Sequence, residues 1–170
     1  KDRNFIYGLP EINSEGIKAS KSIANPGCFA TAIELGLLPL ANAKEVKDVD
    51  TPGITGSTGA GQSLSTTAHF SWRQNTIQAY KSTTHPPLDE INESLNSLAG
   101  NSSASIHFIP WRGDFTRGIF VTSQLKSASS LEKIYKIYDE FFTCHHFVKI
   151  SRAPILLKQS VNTKHCFFQL

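Results

Sequence analysis

Ser22-Ile23-Ala24-Asn25-Pro26-Gly27-Cys28-Phe29-Ala30-Thr31-Ala32-Ile33-Glu34-Leu35-Gly36-Leu37-Leu38-Pro39 is the stretch from which the fold is read. Its first three residues read as a short buried strand. Asn25-Pro26-Gly27 is a compact turn signal, since Asn bonds its own backbone, Pro fixes φ and Gly accepts tight bends. An apolar helical run over 29–38 follows, which Pro39, having no amide hydrogen, is expected to stop. Cys28 then falls on the first residue of a helix, at a strand–turn–helix junction. Helix N-termini present unpaired N–H groups and a positive dipole end, which favour a thiolate over a thiol. Gly27 adds room for a substrate to approach the backbone. Cys28 is therefore the leading candidate nucleophile; the competing reading is a small apolar residue packed at a helix start.

Working outward, residues 1–12 read as an entering loop and 15–20 as a short helix. Residues 46–54 read as a strand leading into the loop Thr55-Gly56-Ser57-Thr58-Gly59-Ala60-Gly61, and 77–80 as another short strand. Pro86-Pro87 opens a helix with Leu88, Ile91, Leu95 and Leu98 along one face. Residues 106–109 and 119–125 read as strands flanking a loop that carries Trp111, Arg112 and Arg117. The spacing of Leu131, Ile134, Tyr135, Tyr138, Phe141 and Phe142 predicts a helix over 131–142, capped by Ser129 or Ser130. Residues 147–150 and 166–170 complete the strands. Helices interspersed with strands in this way predict an α+β domain: a mixed, largely antiparallel sheet with helices packed on it.

The 170 residues carry a net charge of +3, 39% hydrophobic residues and 11 Phe. This is enough for a sizeable core and argues against disorder. No long basic run backs the weak positive charge, which argues against nucleic-acid or membrane-surface partners. No stretch approaches the ~20 apolar residues of a membrane span, and no signal peptide opens the chain. Three cysteines fit free thiols in a reducing, cytoplasmic setting better than a disulfide framework. The chain begins with Lys and has no Met, which predicts a piece of a longer protein.

A nucleophilic thiol needs a proton partner. His85, in a loop between a strand and a helix, is the candidate general base; His107 reads as structural and His69 as intermediate. Cys144-His145-His146 lacks a second ligand cluster at zinc spacing, so no metal is expected. The loop 56–61 could cradle an anion or carbonyl through backbone N–H groups, or be a plain turn. It is neither a P-loop nor a G-x-G-x-x-G fingerprint. Arg117 suits a carboxylate or phosphate clamp, or is simply solvated.

Together these motifs resemble the N-acetyl-gamma-glutamyl-phosphate reductase family. The matching segments are Tyr7-Gly8-Leu9-Pro10-Glu11, Ala24-Asn25-Pro26-Gly27-Cys28-Phe29-Ala30-Thr31, and Gly56-Ser57-Thr58-Gly59-Ala60-Gly61. Tyr80 with His85 and Glu90-Ile91, and Arg117-Gly118-Ile119, follow in family order. The resemblance implies a two-domain enzyme, and residues 1–170 as its catalytic and dimerisation domain. That domain would have the fold shared with aspartate-semialdehyde and glyceraldehyde-phosphate dehydrogenases. An N-terminal NADP-binding Rossmann domain and an extreme C-terminal segment would lie outside the chain. It further implies a homo-oligomer acting on a small molecule, with a Cys28 thioester formed from N-acetyl-glutamyl 5-phosphate and reduced by NADPH to the semialdehyde. His85 would be the acid–base residue, Asn25, Ser57, Gly59 and Arg117 substrate contacts, and Gly59 and Ala60 cofactor contacts. Two positions depart from the family: Pro87 replaces a second histidine, and Lys164 replaces an asparagine in Thr163-Lys164-His165-Cys166. A Cys–His hydrolase or acyltransferase, and a non-catalytic assembly module, are the alternatives.

Overall fold

The computed structural model describes residues 4–82, 87–100 and 104–170. In chain order the elements are β1 (Ile6–Tyr7), α1 (Pro10–Ala19), β2 (Ile23–Ala24), α2 (Cys28–Asn42), β3 (Asp48–Asp50) and β4 (Gly53–Thr55). Two short 3-10 turns, Ser57–Ala60 and Thr66–Ala68, precede α3 (Phe70–Arg73), β5 (Gln78–Ala79) and α4 (Pro87–Ala99). Then come β6 (Ser105–His107), β7 (Pro110–Arg112), β8 (Ile119–Val121), β9 (Gln124–Leu125) and α5 (Leu131–Phe141). β10 (Val148–Ser151), α6 (Leu157–Ser160) and β11 (Cys166–Gln169) end the described chain.

The central ladders form one sheet. β3 and β4 are halves of a strand interrupted at Pro52, which has no N–H to give. Pairing continues across the break: Thr51 N donates to His107 O at 2.8 Å, Gly53 N to Ile109 O at 3.1 Å, and Thr122 N to Pro52 O at 3.1 Å. The β3/β4 strand runs parallel to β6/β7 and antiparallel to β8/β9, while β5 lies antiparallel on the outer side of β7. A parallel pair is thus flanked by antiparallel neighbours, the mixed sheet that was expected. Two separate parallel pairs, β1 with β2 and β10 with β11, lie outside it.

Side-chain alternation decides what faces the helices. Val49, Thr51, Gly53 and Thr55 point inward, as do Phe108 and Pro110, and all are buried. Against them lies α2, hydrophobic on nearly every side, with Phe29, Ile33, Leu37 and Leu38 each at most 2% exposed. The Phe29 ring meets Phe108 edge-on at 5.0 Å. It sits so close to the sheet that a Cβ on Gly53 would come within 2.7 Å of its Cε1. α4 covers another side of α2 with the buried Ile91 and Leu95, and α5 a third, where Tyr138 Oη donates to Gly36 O.

Several expectations need correcting. Pro39 does not stop α2, which continues to Asn42. The proline forfeits one hydrogen bond, but Leu40 and Ala41 beyond it are buried in the core. The first helix begins at Pro10, with proline in its favoured first-turn place, rather than at residue 15. The strand at Ile23–Ala24 exists but is exposed. Trp111 and Arg112 belong to β7 instead of a loop, and α6 was not foreseen. Ser130 caps α5, its hydroxyl accepting from Lys133 N at 3.3 Å.

Candidate active site

Cys28 is the first residue of α2 and is exposed. Gly27, extended at φ −63° and ψ 148°, is the N-cap residue. Its carbonyl starts the helix, accepting from Thr31 N at 2.8 Å and Thr31 Oγ1 at 3.0 Å. Its amide donates to Glu90 Oε1 at 2.9 Å, so α4 reaches across to hold the residue before the thiol. A Cβ at Gly27 would lie 3.1 Å from Glu90 Oε2, a tight contact that the Glu90 side chain would have to yield to by a few tenths of an ångström. Behind this contact, Tyr7 Oη lies 2.8 Å from Glu90 Oε1 and 2.7 Å from Oε2 of the fully buried Glu34. Asn25 is exposed, its Nδ2 donating to Pro26 O at 3.0 Å.

Two cavities open at the thiol. The larger, about 560 Å³, brings Cys28 and Asn25 together with Gly8, Thr163, Lys164 and His165. The smaller, about 170 Å³, is walled by Cys28, Ile119, Phe120, Ile155, His165 and Cys166. The half-buried His165 lines both, brought there by β11 pairing with β10. Burial, and secondarily Glu11, pushes the Cys166 thiol up to about 11. It is a protonated wall of the site at neutral pH. Tyr80 is the other neighbour that senses Cys28. Burial raises its hydroxyl pKa, the Cys28 charge adds to this, and Arg112, stacked 3.9 Å over the ring, opposes it. Arg73, buried beside them, donates from Nη2 to Thr55 O at 3.0 Å and Gly113 O at 2.6 Å. Burial and the Arg112 charge lower its pKa.

The other expected site residues are placed less favourably. The loop 56–61 is not an open nest. Gly56 N donates to Gly118 O, Ser57 N to Phe115 O, Thr58 N to Thr116 O and Gly59 N to Gly56 O, so those amides are used within the fold. Gly56 itself is needed because a Cβ would meet Thr116 O at 2.6 Å. With the Gly59 amide donating to Gly56 O and Ala60 closing a 3-10 turn, this loop does not form the glycine-rich phosphate cradle of a dinucleotide-binding unit. Ser57 is half-buried and its side chain remains available for a polar contact. Arg117 is exposed and lines a separate depression of about 440 Å³ with Lys158 and Asn162. His85 lies outside the described residues. His107 is held by Asp48 at 2.9 Å on the surface of the sheet. Among the described residues no three His, Cys, Asp or Glu side chains converge as a metal site would require.

Sequence reasoning missed His165, Arg73 and the Tyr7–Glu34 contact. The segment containing His165 was singled out, but for Lys164. Only the pairing of distant strands brings the histidine to Cys28, and no local pattern encodes that.

A family model described as "Semialdehyde dehydrogenase, dimerisation domain" matches residues 28–170. Among similar proteins, N-acetyl-gamma-glutamyl-phosphate reductases of Bacteroides thetaiotaomicron and Karelsulcia muelleri are 49% and 43% identical. The alignments cover 99% and 100% of this chain and 53% of each relative. The chain thus spans about half the length of these relatives. Solved aspartate semialdehyde dehydrogenases share the fold at low identity. The Vibrio cholerae enzyme II matches with TM-score 0.69 at 12% identity, over 96% of this chain and 56% of that one. The Francisella tularensis enzyme matches with 0.68 at 13%, over 99% and 61%. With the family model covering residues 28–170 and the named relatives 43–49% identical over the whole chain, this chain belongs to the semialdehyde dehydrogenase family.

Proposed function

We propose that the chain is the catalytic and dimerisation part of an N-acetyl-gamma-glutamyl-phosphate reductase, acting in arginine biosynthesis. The observation that carries the reading is an exposed thiol on the first residue of α2, within a chain 49% identical to reductases of that name. The Cys28 thiolate attacks the acyl carbon of N-acetyl-glutamyl 5-phosphate. A carbon–sulfur bond forms, the carbon–oxygen bond to phosphate breaks, and inorganic phosphate leaves with the electron pair. His85, or His165 in the cavity wall, supplies or accepts the proton at the substrate oxygen. Asn25, Ser57 and Arg117 are the candidate substrate contacts. Gly59 and Ala60 are the candidate cofactor contacts, with the Gly59 amide already donating to Gly56 O. Reduction of the thioester needs a hydride donor, NADPH on this reading, held by a Rossmann domain outside these residues. On their own, the 170 residues carry only the acylation half of the reaction.

The partner on this reading is a second copy of the chain. Ala79, Trp111, Ile54 and Phe120 fall in one register row across the sheet, on the face turned away from α2. Trp111 and Phe120 remain 37% and 36% exposed.

The test is a single-turnover assay of the purified chain with the acyl phosphate. One equivalent of phosphate should be released, with one acyl group on Cys28 by mass spectrometry, and both should vanish in Cys28→Ser. Sustained NADPH oxidation should appear only when the cofactor domain is supplied. Acylation that survives in Cys28→Ser would overturn the reading. Continuous phosphate release without NADPH would instead favour the hydrolase.

A further inference from the structure

The hydroxyl of Tyr7 has one proton, yet its oxygen lies at hydrogen-bond distance from two carboxyl groups, 2.7 Å from Glu34 Oε2 and 2.8 Å from Glu90 Oε1. If both carboxyls were ionised, one of those short contacts would hold no proton, and two negative charges would share one phenol. A second proton must reside in the cluster. Glu90 Oε1 is already committed as an acceptor, taking the Gly27 amide at 2.9 Å, and Glu90 is only half-buried. Glu34 is 0% exposed. Among the described residues, the groups facing it are Tyr7 of β1, and Glu90 and the Ser94 hydroxyl of α4, with no cation among them. Burial raises its pKa and the Glu90 charge adds to this, while the Ser94 and Tyr7 hydroxyls beside it oppose it; Glu34 Oε1 is buried without a hydrogen-bond partner among the described residues.

We propose that Glu34 holds the second proton, and that Glu34, Tyr7 and Glu90 form a directed hydrogen-bond chain that positions the Gly27–Cys28 turn. Glu34 Oε2–H donates to Tyr7 Oη, Tyr7 Oη–H donates to Glu90 Oε1, and the ionised Glu90 accepts from Gly27 N–H. All three are positioning residues, acting on the nucleophile through the backbone that carries it. The chain spans β1, α2 and α4, so the site's geometry is tied to the packing of three elements that are remote in sequence.

This inference rests on Cys28 being the nucleophile, but its test does not use turnover, so the two can fail separately. Infrared difference spectra of the 170-residue chain should show a protonated carboxyl at pH 7. That band should be absent in Glu34→Gln and retained in Glu90→Gln. Hydrogen exchange at the Gly27 amide should accelerate at least tenfold in Glu90→Ala. In Glu90→Gln, where the amide oxygen still accepts, it should stay near the parent rate. Alkylation of Cys28 should slow severalfold in Glu90→Ala and Tyr7→Phe, and be restored in Glu90→Gln. Glu34→Gln, neutral and still able to donate, should leave both rates unchanged. The proposal is overturned if no protonated carboxyl is present at pH 7, if the band persists in Glu34→Gln, or if Gly27 stays protected in Glu90→Ala.

Discussion

The three cysteines show how far local environment divides one residue type. Cys28 and Cys144 are exposed, whereas Cys166 is half-buried in the wall of the site, its thiol pushed by burial from an ordinary 9.0 to about 11. At pH 8 iodoacetamide should therefore label Cys28 and Cys144 and spare Cys166, as read by peptide mass spectrometry. The sign for stability follows from linkage. A thiol whose pKa is raised on folding favours the native state below the unfolded pKa, and that contribution is lost as pH climbs from 9.0 towards 11. Denaturant midpoints should fall across that window, and Cys166→Ala should flatten the fall even though it lowers the midpoint at neutral pH. A decline equally steep in the variant would sink the argument. Cys28 was legible in sequence because a turn signal and an apolar helical run bracket it. His165 was not, since its nearness to Cys28 depends on β10 and β11 pairing in register, Val148 opposite Cys166. Nor was the Tyr7–Glu34–Glu90 contact, whose members are 27 and 83 residues apart.

At the scale of elements, the seating of α2 on the sheet sets where the thiol points. Phe29, one residue beyond Cys28, fills the space that a side chain at position 53 would need. An alanine Cβ there would lie 2.7 Å from Phe29 Cε1 and 3.2 Å from Val121 Cγ2. Gly53→Ala should cost about 1–3 kcal/mol through overpacking, and Phe29→Ala about 3–5 kcal/mol through the cavity left in the core. The double variant should cost clearly less than the sum, because removing the ring relieves the clash. Urea unfolding of the four proteins measures the coupling; strict additivity would show that the two residues do not compete for one space. The helices α2, α4 and α5 were readable from their periodicity, because each buries one continuous apolar stripe or more. Their ends were not. Whether Pro39 ends α2 is settled by what Leu40 and Ala41 bury, a tertiary matter invisible in the local sequence. The strands were legible as short runs, but Pro52 hides the continuity of β3 with β4, and pairing partners are non-local by nature.

For the whole molecule, the decisive feature is that, among the described residues, one sheet has a covered face and an open one. Even positions from Asp48 to Ile54 and odd positions from Ser105 to Trp111 point away from α2, and the open face changes character along its length. One end is polar, with Asp48 paired to His107 at 2.9 Å. The other is apolar, with Trp111, Ile54 and Phe120 in one row and Ile109, 40% exposed, beside it. Aromatic residues grouped on an open sheet face mark an association surface, since scattered single exposures need no partner but a contiguous patch does. A second copy meeting this face would bury the row against its own counterpart in a two-fold arrangement, each aromatic contributing to both sides. Introducing like charges at the centre should break that contact while leaving α2 seated on the other face, because the two side chains are 37% and 36% exposed on the face turned away from it. If the proposed assembly of two copies forms, Trp111→Glu with Phe120→Glu should convert it to monomer in analytical ultracentrifugation, with an unchanged far-ultraviolet circular dichroism spectrum. Charge placed instead at the polar end, as in Gln124→Glu, should leave the assembly intact. A double variant that sediments like the parent would mean that the copies meet through another surface, and that this row is covered by something else.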